Sequence, residues 1–148
     1  MQRQISSTQK AYLAGFLDGD GSIYVRLKPN STYRYGFQIA PYIVLFQSQK
    51  DQVNFEKICD LINLGYLRKR KDGILEYTIN RRESIVRFLR MVERYVILKK
   101  EQAALMKKIM DVKKRVENKK DFEKLMMLVD RFRELNYSKK RKKHTLTP

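Results

Sequence analysis

The segment Leu13-Ala-Gly-Phe-Leu-Asp-Gly-Asp-Gly-Ser22 carries more information about the fold than any other part of the chain. It belongs to residues 7–20, whose pattern predicts a helix on which Ala11, Gly15 and Gly19 recur every four residues and form a strip almost without side chains. Each glycine costs a helix about 1 kcal/mol relative to alanine, so something must compensate. We expect the backbone of another helix to approach the strip closely. The pattern leaves open whether that helix belongs to the same chain.

The segments around this helix predict an α+β fold in which an antiparallel sheet is backed by helices. Gly21 ends the helix, and the hydrophobic period then changes from helical to two. Ser48 begins a pattern resembling a capping box, with Asp51 interpreted as a helix-capping acid. The predicted strands are 23–28, 35–46 (interrupted by a proline) and a hairpin over 66–79, and the further predicted helices are 48–65, 84–96, 101–116 and 121–135. This order is αββαββα followed by C-terminal helices, and we interpret residues 1–137 as one domain and 138–148 as a basic tail.

Composition narrows the functional class. The 148 residues include 33 Lys+Arg and 16 Asp+Glu, a net charge of +17, and 43% are hydrophobic. These values are typical of a globular protein that binds a polyanion, of which nucleic acid is the first candidate. Cys59 and His144 are the only residues of their types, which excludes an intramolecular disulfide and a Cys/His zinc site. The apolar runs are shorter than the ~18 residues of a membrane span, and no signal or transit peptide is evident.

Residues 13–21 resemble the signature of the LAGLIDADG homing endonucleases, with the glycines and acidic residues in place. The likeness extends over about residues 8–105, through a strand pair, a helix ending at Leu64-Gly65-Tyr66, a basic hairpin, and the segment 98–103. It is similar to the single-motif, homodimeric branch encoded in group I introns of organelle genomes. The resemblance implies a homodimeric endonuclease that cuts both strands of a long pseudo-palindromic double-stranded DNA site and leaves short 3′ overhangs. It also implies a chloroplast or mitochondrial location and no membrane partner.

The resemblance also implies how the active site is built. The strip of Ala11, Gly15 and Gly19 would pack against its twin and bring two Asp20 carboxylates together. Asp20 and Gly19 would hold Mg²⁺, since carboxylate and carbonyl oxygens are the ligands that this ion prefers. Mn²⁺ is expected to substitute for Mg²⁺, and Ca²⁺ to bind without supporting cleavage. We assign Asp18 to a structural role.

Two polar helpers of the metal site follow from the same resemblance. Gln47 matches a family glutamine and Lys99 a family lysine, so both are expected to be catalytic. Gln49 and Lys100 are rivals for these two roles. A second basic position is not settled, although Lys50 lies near it.

In this family, one face of the sheet lies in the DNA major groove. Arginine and glutamine side chains can read guanine and adenine there with two hydrogen bonds. The resemblance and the strand parity predict the DNA-binding residues Tyr24, Arg26, Lys28, Asn30, Thr32, Tyr33, Gln38, Ala40, Val44, Arg68, Arg70, Glu76 and Thr78. Val44 is apolar for a groove-facing position, so it either touches thymine methyl groups or the register shifts at Pro41.

Two alternative functions stay open on the sequence. An RNA maturase of the same fold would share every feature above, and the intact Asp20 favours the nuclease. A non-catalytic basic nucleic-acid-binding domain would need no divalent metal and would leave the glycine strip unexplained.

Overall fold

The computed structural model describes residues 4–136 as a four-stranded sheet with five α-helices. The elements are α1 (Ser7–Asp20), β1 (Gly21–Pro29), β2 (Phe37–Ser48), α2 (Gln52–Ile62), β3 (Tyr66–Lys69), β4 (Ile74–Ile79), α3 (Arg82–Val92), α4 (Lys100–Lys114) and α5 (Lys119–Leu135). The strand order is β1-β2-β4-β3, and the predicted α+β class is confirmed. The predicted tail 138–148 lies outside the described residues, and the proposed domain boundary at 137 stays a prediction. Within residues 4–136, no helix has the length and apolarity that crossing a membrane requires.

Helix α1 has the bounds that the sequence predicts, because both of its ends are specified locally. Ser6 accepts a hydrogen bond from the backbone N–H of Gln9, whose side chain accepts in return from Ser6 N–H, so the two form a capping box. Gly21 ends the helix in an extended conformation, and a Cβ there would lie 2.7 Å from the carbonyl oxygen of Leu17. The chain can therefore pass from helix to strand directly after Asp20.

Strands β2, β4 and β3 are joined antiparallel in a register that separates two faces. The β2–β4 pairing runs from Ile43↔Ile79 to Ser48↔Ile74, and β3 pairs with β4 from Tyr66↔Thr78 to Lys69↔Leu75. Alternate side chains point to opposite faces, so one face of these strands is apolar. That face carries the buried residues Ile43, Leu45, Leu75, Tyr77 and Ile79.

The chain divides into two compact units, and strands β1 and β2 contribute residues to both. The first unit consists of the chain up to Ile23 and of Tyr42–Lys100. It contains α1, α2, β3, β4 and α3. Its fully buried side chains include Leu13, Leu17, Phe55, Phe88 and Leu89, and α1 packs against α3.

The second unit contains Tyr24–Pro41 together with α4 and α5. Its core includes buried side chains of both helices, among them Met106, Ile109 and Phe132. The Lys113 ammonium donates to the carbonyl oxygen of Ile39 at 3.4 Å, which ties α4 to β2.

Several local predictions differ from the structure. Helix α3 ends at Val92 and not at the predicted residue 96, because the chain turns there, with the N–H groups of Tyr95 and Val96 both donating to the Val92 carbonyl oxygen. Strand β2 begins two residues later than predicted, because Gly36 closes the preceding loop with a φ of +80° and accepts from Asn30 N–H at 2.8 Å. The cap after β2 is Ser48, which opens a short 3₁₀ turn, whereas Asp51 makes no side-chain capping bond. Helix α2 ends at Ile62, well before Gly65.

Gly65 is required for a reason other than ending a helix. A Cβ at this position would overlap the backbone carbonyl oxygen of Thr78. The backbone at the start of β3 therefore approaches β4 at a distance that only glycine allows.

Candidate active site and nucleic-acid interface

The glycine strip of α1 faces open space. Ala11, Gly15 and Gly19 are exposed, and a Cβ built at either glycine would have no described atom within 4 Å. The opposite side of the helix buries Leu13 and Leu17. Packing within residues 4–136 therefore does not compensate the low helix propensity of the two glycines, which favours a second molecule as the neighbour of this strip.

Asp20 is exposed at the C-terminal end of α1, directly after exposed Gly19. A helix C-terminus carries partial negative charge, so a carboxylate there favours a bound cation. Within residues 4–136, no three His, Cys, Asp or Glu side chains are grouped as a metal site. The oxygen donors of Asp20 and Gly19 fit Mg²⁺ by type, but one chain offers too few of them to hold the ion alone.

Asp18 connects α1 to a turn that is far away in the sequence. Its carboxylate accepts backbone N–H groups from Ile97 at 2.7 Å, Leu98 at 3.1 Å and Lys99 at 3.0 Å. These three hydrogen bonds give Asp18 the structural role that the sequence predicts, because they join α1 to a turn about 80 residues later in the chain.

Lys99 lies at the end of α1 that carries Asp20. Its ammonium donates to the backbone carbonyl oxygen of Asp18 at 2.8 Å, and its side chain is half-buried, whereas Lys100 is exposed. This placement favours Lys99 over Lys100 as the lysine of the candidate site.

Gln47 is the last residue of β2 that points to the same face of the sheet as Ile43 and Leu45. Neighbouring strands are antiparallel, so β1, which begins at Gly21, starts at the end of the sheet where β2 finishes. Gln47 Oε1 accepts from Ser48 N–H at 2.9 Å, which leaves its amide NH₂ group as the donor. Gln49 instead lies against the β3–β4 turn, where its N–H donates to the Gly73 carbonyl oxygen at 2.9 Å. These contacts favour Gln47, and they leave the second basic position open.

Charged side chains cover the outer face of β3 and β4 in the first unit. Arg68 lies opposite Glu76 and forms an ion pair with it at 2.9 Å, and Arg70 contacts Glu76 at 3.5 Å and Asp72 at 2.7 Å. The Arg68 side chain remains 65% exposed, while that of Glu76 is only 17% exposed. Glu76 therefore orients two arginines and offers little surface of its own to a ligand.

The same face is apolar near its centre. Val44 pairs with Thr78, and both are buried, with 3% and 7% of their surface exposed. Both share a parity with Phe46, Glu76 and Arg68, so the register is not shifted within this part of β2. A base contact by Val44 or Thr78 stays a prediction and would involve only a small area.

In the second unit, the predicted DNA-binding residues of β1 alternate with core residues. Arg26 and Lys28 are exposed, whereas Val25 and Leu27 between them are buried. The Arg26 guanidinium lies over the Tyr24 ring, 5.6 Å from its centroid. The exposed face of β1 is therefore basic, as its period-two sequence pattern predicts.

The loop after β1 is internally hydrogen-bonded. Asn30 Oδ1 accepts from both the N–H and the hydroxyl of Thr32, at 3.0 and 2.6 Å, and Tyr33 is 46% exposed. Gln38 is half-buried and Ala40 is buried. The hydrogen bonds of Asn30 therefore fix the conformation of the loop that carries Thr32 and Tyr33.

Tyr77 is a positioning residue that the sequence does not reveal. Its buried hydroxyl accepts N–H groups from Leu64 at 2.8 Å and Gly65 at 2.7 Å, directly before β3 begins. Burial raises the pKa of this hydroxyl. Burial also raises the pKa of the Cys59 thiol to about 12, with the nearby Asp60 carboxylate adding to the effect. The sequence predicts a strand at Tyr77, but no pattern in it shows what the hydroxyl binds.

Comparison with known proteins identifies the family. The LAGLIDADG endonuclease pattern matches residues 13–114. The chain is 33% identical over 132 residues to DNA endonuclease I-CreI of Chlamydomonas reinhardtii, covering 88% of this chain and 80% of that protein. It is 32% identical over 134 residues to DNA endonuclease I-CvuI of Chlorella vulgaris, covering 88% and 81%.

Solved structures of I-CvuI have the same fold. One holds its target in the presence of 2 mM Ca and matches with a TM-score of 0.85 and 27% identity, covering 92% of this chain and 87% of that one. Another holds the I-CreI target, not cleaved, in the presence of 2 mM Mg, and matches with a TM-score of 0.84 and 27% identity, covering 91% and 86%. The family match over residues 13–114 and the identity to I-CreI, which agree with the open glycine strip and the exposed Asp20, show that the chain belongs to the LAGLIDADG endonuclease family.

Proposed function

We propose that two copies of this chain form a metal-dependent DNA endonuclease that hydrolyses one phosphodiester bond in each strand of a long pseudo-palindromic target. The observation that carries this proposal is the end of α1, where an exposed carboxylate follows an open glycine strip and a lysine ammonium is fixed nearby. The 33% identity to DNA endonuclease I-CreI supports the same activity.

The dimer follows from the open strip. Gly15 and Gly19 leave room for a second α1 to approach at backbone distance, and a self-complementary patch of this kind produces twofold symmetry. Each copy would bring its Asp20 to the symmetry axis. Twofold protein symmetry in turn favours a DNA site whose two halves are related by the same symmetry.

The metal completes a site that one chain cannot build. Asp20 and Gly19 of both copies, together with DNA phosphates, would supply the oxygen ligands for Mg²⁺. When bound, the ion neutralises charge that develops on the phosphate and on the leaving oxygen. I-CvuI structures with Mg and with Ca support divalent metal use, and we propose further that Mn²⁺ substitutes for Mg²⁺ and that Ca²⁺ permits binding alone.

The other residues of the site would act on the substrate directly. The Lys99 ammonium would neutralise phosphate charge, because the carbonyl oxygen of Asp18 holds it near the end of α1. The Gln47 amide would orient a water molecule or a phosphate oxygen, since its own carbonyl is already engaged by Ser48. Both roles are assigned from position.

Target recognition would come from the strand faces. Arg68 and Arg70 lie on the outer face and both pair with the Glu76 carboxylate, which would orient their guanidinium groups for contact with guanine. Arg26, Lys28 and Tyr33 of the second unit would add further contacts to the target. The remaining candidates are Tyr24, Asn30, Thr32, Gln38 and Ala40 in the second unit and Val44 and Thr78 in the first.

We also propose a chloroplast or mitochondrial location. Its support is the resemblance of the motif to the single-motif branch of the family and the algal source of the two relatives.

Selection of cleaved sites from a randomised DNA library with Mg²⁺ tests the function. The expected result is a family of long sites with twofold sequence symmetry, each cut once in both strands. Recovery of no cleaved site, combined with assistance of group I intron splicing by the same preparation, would replace the nuclease by a maturase.

A further inference from the structure

We propose that Asp18 is a positioning residue for DNA cleavage, because its carboxylate fixes the turn that carries Lys99. The proposal rests on the proposed function, which gives Lys99 a role at the phosphate. It assigns to Asp18 a contribution to the reaction rate in addition to its contribution to the fold.

Asp18 binds Lys99 at both ends. The backbone N–H of Lys99 donates to Asp18 Oδ1 at 3.0 Å, and the Lys99 ammonium donates to the Asp18 backbone oxygen at 2.8 Å. One residue therefore fixes where the lysine side chain starts and where it ends. The second carboxylate oxygen, Oδ2, accepts from Ile97 at 2.7 Å and Leu98 at 3.1 Å and immobilises the turn before it.

Apolar packing does little to hold this turn. The side chains of Ile97 and Leu98 are 80% and 73% exposed, and the preceding Val96 is buried. Hydrogen bonds in which the acceptor is ionised are about twice as strong as neutral ones. Within residues 4–136, the hydrogen bonds to the Asp18 carboxylate are therefore the main interactions that hold the backbone of residues 97–99 in place.

This arrangement separates positioning from metal binding. Asp18 lies two residues before Asp20 on α1, but its carboxylate oxygens are occupied by backbone N–H groups. Asp18→Asn keeps the shape of the side chain and removes acceptor capacity, because its NH₂ group would face an N–H donor. The lysine would be displaced while Asp20 stays in place.

A double-mutant cycle tests the coupling. Single-turnover cleavage, DNA affinity and dimerisation are measured for wild type, Asp18→Asn, Lys99→Met and the double variant, at protein concentrations that saturate the DNA. Asp111→Asn, at an exposed position on α4, makes the same change of charge and serves as the control. Backbone amide exchange of residues 97–99 is recorded for the wild type and Asp18→Asn in the absence of DNA and metal.

The proposal predicts a split between rate and binding. Asp18→Asn should slow cleavage about 10- to 100-fold, the range expected when a reacting group is displaced by about 1 Å. Its DNA affinity should match that of Asp111→Asn, and amides 97–99 should exchange faster. In the Lys99→Met background, Asp18→Asn should cause no further loss, because residues that act through one another are not additive. Asp18→Glu, which keeps the charge, should recover part of the rate.

Three results would overturn the proposal. They are independent losses that multiply in the double variant, unchanged amide exchange at 97–99, and a rate loss explained by failure to dimerise. If Asp18→Asn does not fold, full cleavage by Lys99→Met alone would overturn it as well. A wild type that cuts no selected DNA would instead overturn the proposed function, and the amide exchange would still test the positioning separately.

Discussion

Replacing Gly15 by leucine should stabilise the monomer and weaken the dimer. A Cβ at Gly15 meets no described atom within 4 Å, so the larger side chain causes no clash within residues 4–136. Leucine is also a much better helix former than glycine. Within one chain, the substitution should therefore be favourable.

The sizes of the two effects follow from the open strip. The gain in helix propensity is about 0.8 kcal/mol for each chain. At a close helix–helix contact, extra methylene groups cost about 1–3 kcal/mol per site. The twofold axis applies this cost twice, which makes roughly 2–6 kcal/mol for the dimer. Since 1.4 kcal/mol corresponds to a factor of ten, the dissociation constant should rise by about 30-fold to about 10⁴-fold.

Sedimentation equilibrium gives the dimer constant, and urea denaturation at several protein concentrations gives the monomer stability. Ala104→Leu adds comparable bulk at an exposed position of α4 and should leave dimerisation unchanged. A Gly15→Leu protein that dimerises as tightly as the wild type would refute the assignment of this strip to the interface. A monomer that becomes less stable would refute the claim that the strip faces open space.

Three further predictions concern other parts of the chain. Arg68→Ala should cost about 1–3 kcal/mol of binding and relax selection at one base pair of each half-site, measured by library selection, whereas a uniform loss on all sequences would identify a phosphate contact. Cys59 should resist alkylation in the folded protein at pH 8, because its pKa is raised to about 12 and the residue is 7% exposed. Because that pKa is raised from 9.0, its contribution to the free energy of unfolding is complete below about pH 9 and is lost as the pH rises towards 12, so Cys59→Ala should flatten this part of the profile. Tyr77→Phe should lower the free energy of unfolding by about 1–3 kcal/mol, since two part-buried backbone N–H groups lose the acceptor that they share, at about 0.5–1.5 kcal/mol for each hydrogen bond, and a loss below 0.5 kcal/mol in urea denaturation would show that they find another acceptor.

Local signals account for what the sequence predicts well. Helix α1 is bounded by a capping box at one end and a close-packed glycine at the other, and both are encoded within a few residues of where they act. The alternation around Val25 and Leu27 likewise predicts the buried and exposed faces of β1. The predicted start of strand β2 lies two residues before the observed one, because the hydrogen bonds of Asn30 and the positive φ of Gly36 set where the strand begins.

Long-range contacts account for what the sequence misses. The carboxylate of Asp18 and the turn at Lys99 meet across about 80 residues, and neither side carries a pattern that names the other. The family resemblance and strand parity predict a DNA contact for Glu76, but its pairing with Arg68 depends on the register of β3 against β4. The side-chain face could be predicted, whereas the partner on that face could not.

The central claim is that Asp20 holds the metal that drives cleavage, and one paired measurement tests it most directly. Gel-shift affinity and strand scission are compared for the wild type and Asp20→Asn on a selected site, with Mg²⁺ and with Ca²⁺. Removing a negative charge beside the phosphates should leave DNA affinity unchanged or raise it, while cleavage with Mg²⁺ falls by several orders of magnitude. With Ca²⁺, both proteins should bind and neither should cut, because the larger ion has a looser coordination. Cleavage by Asp20→Asn at a rate near that of the wild type would contradict the account.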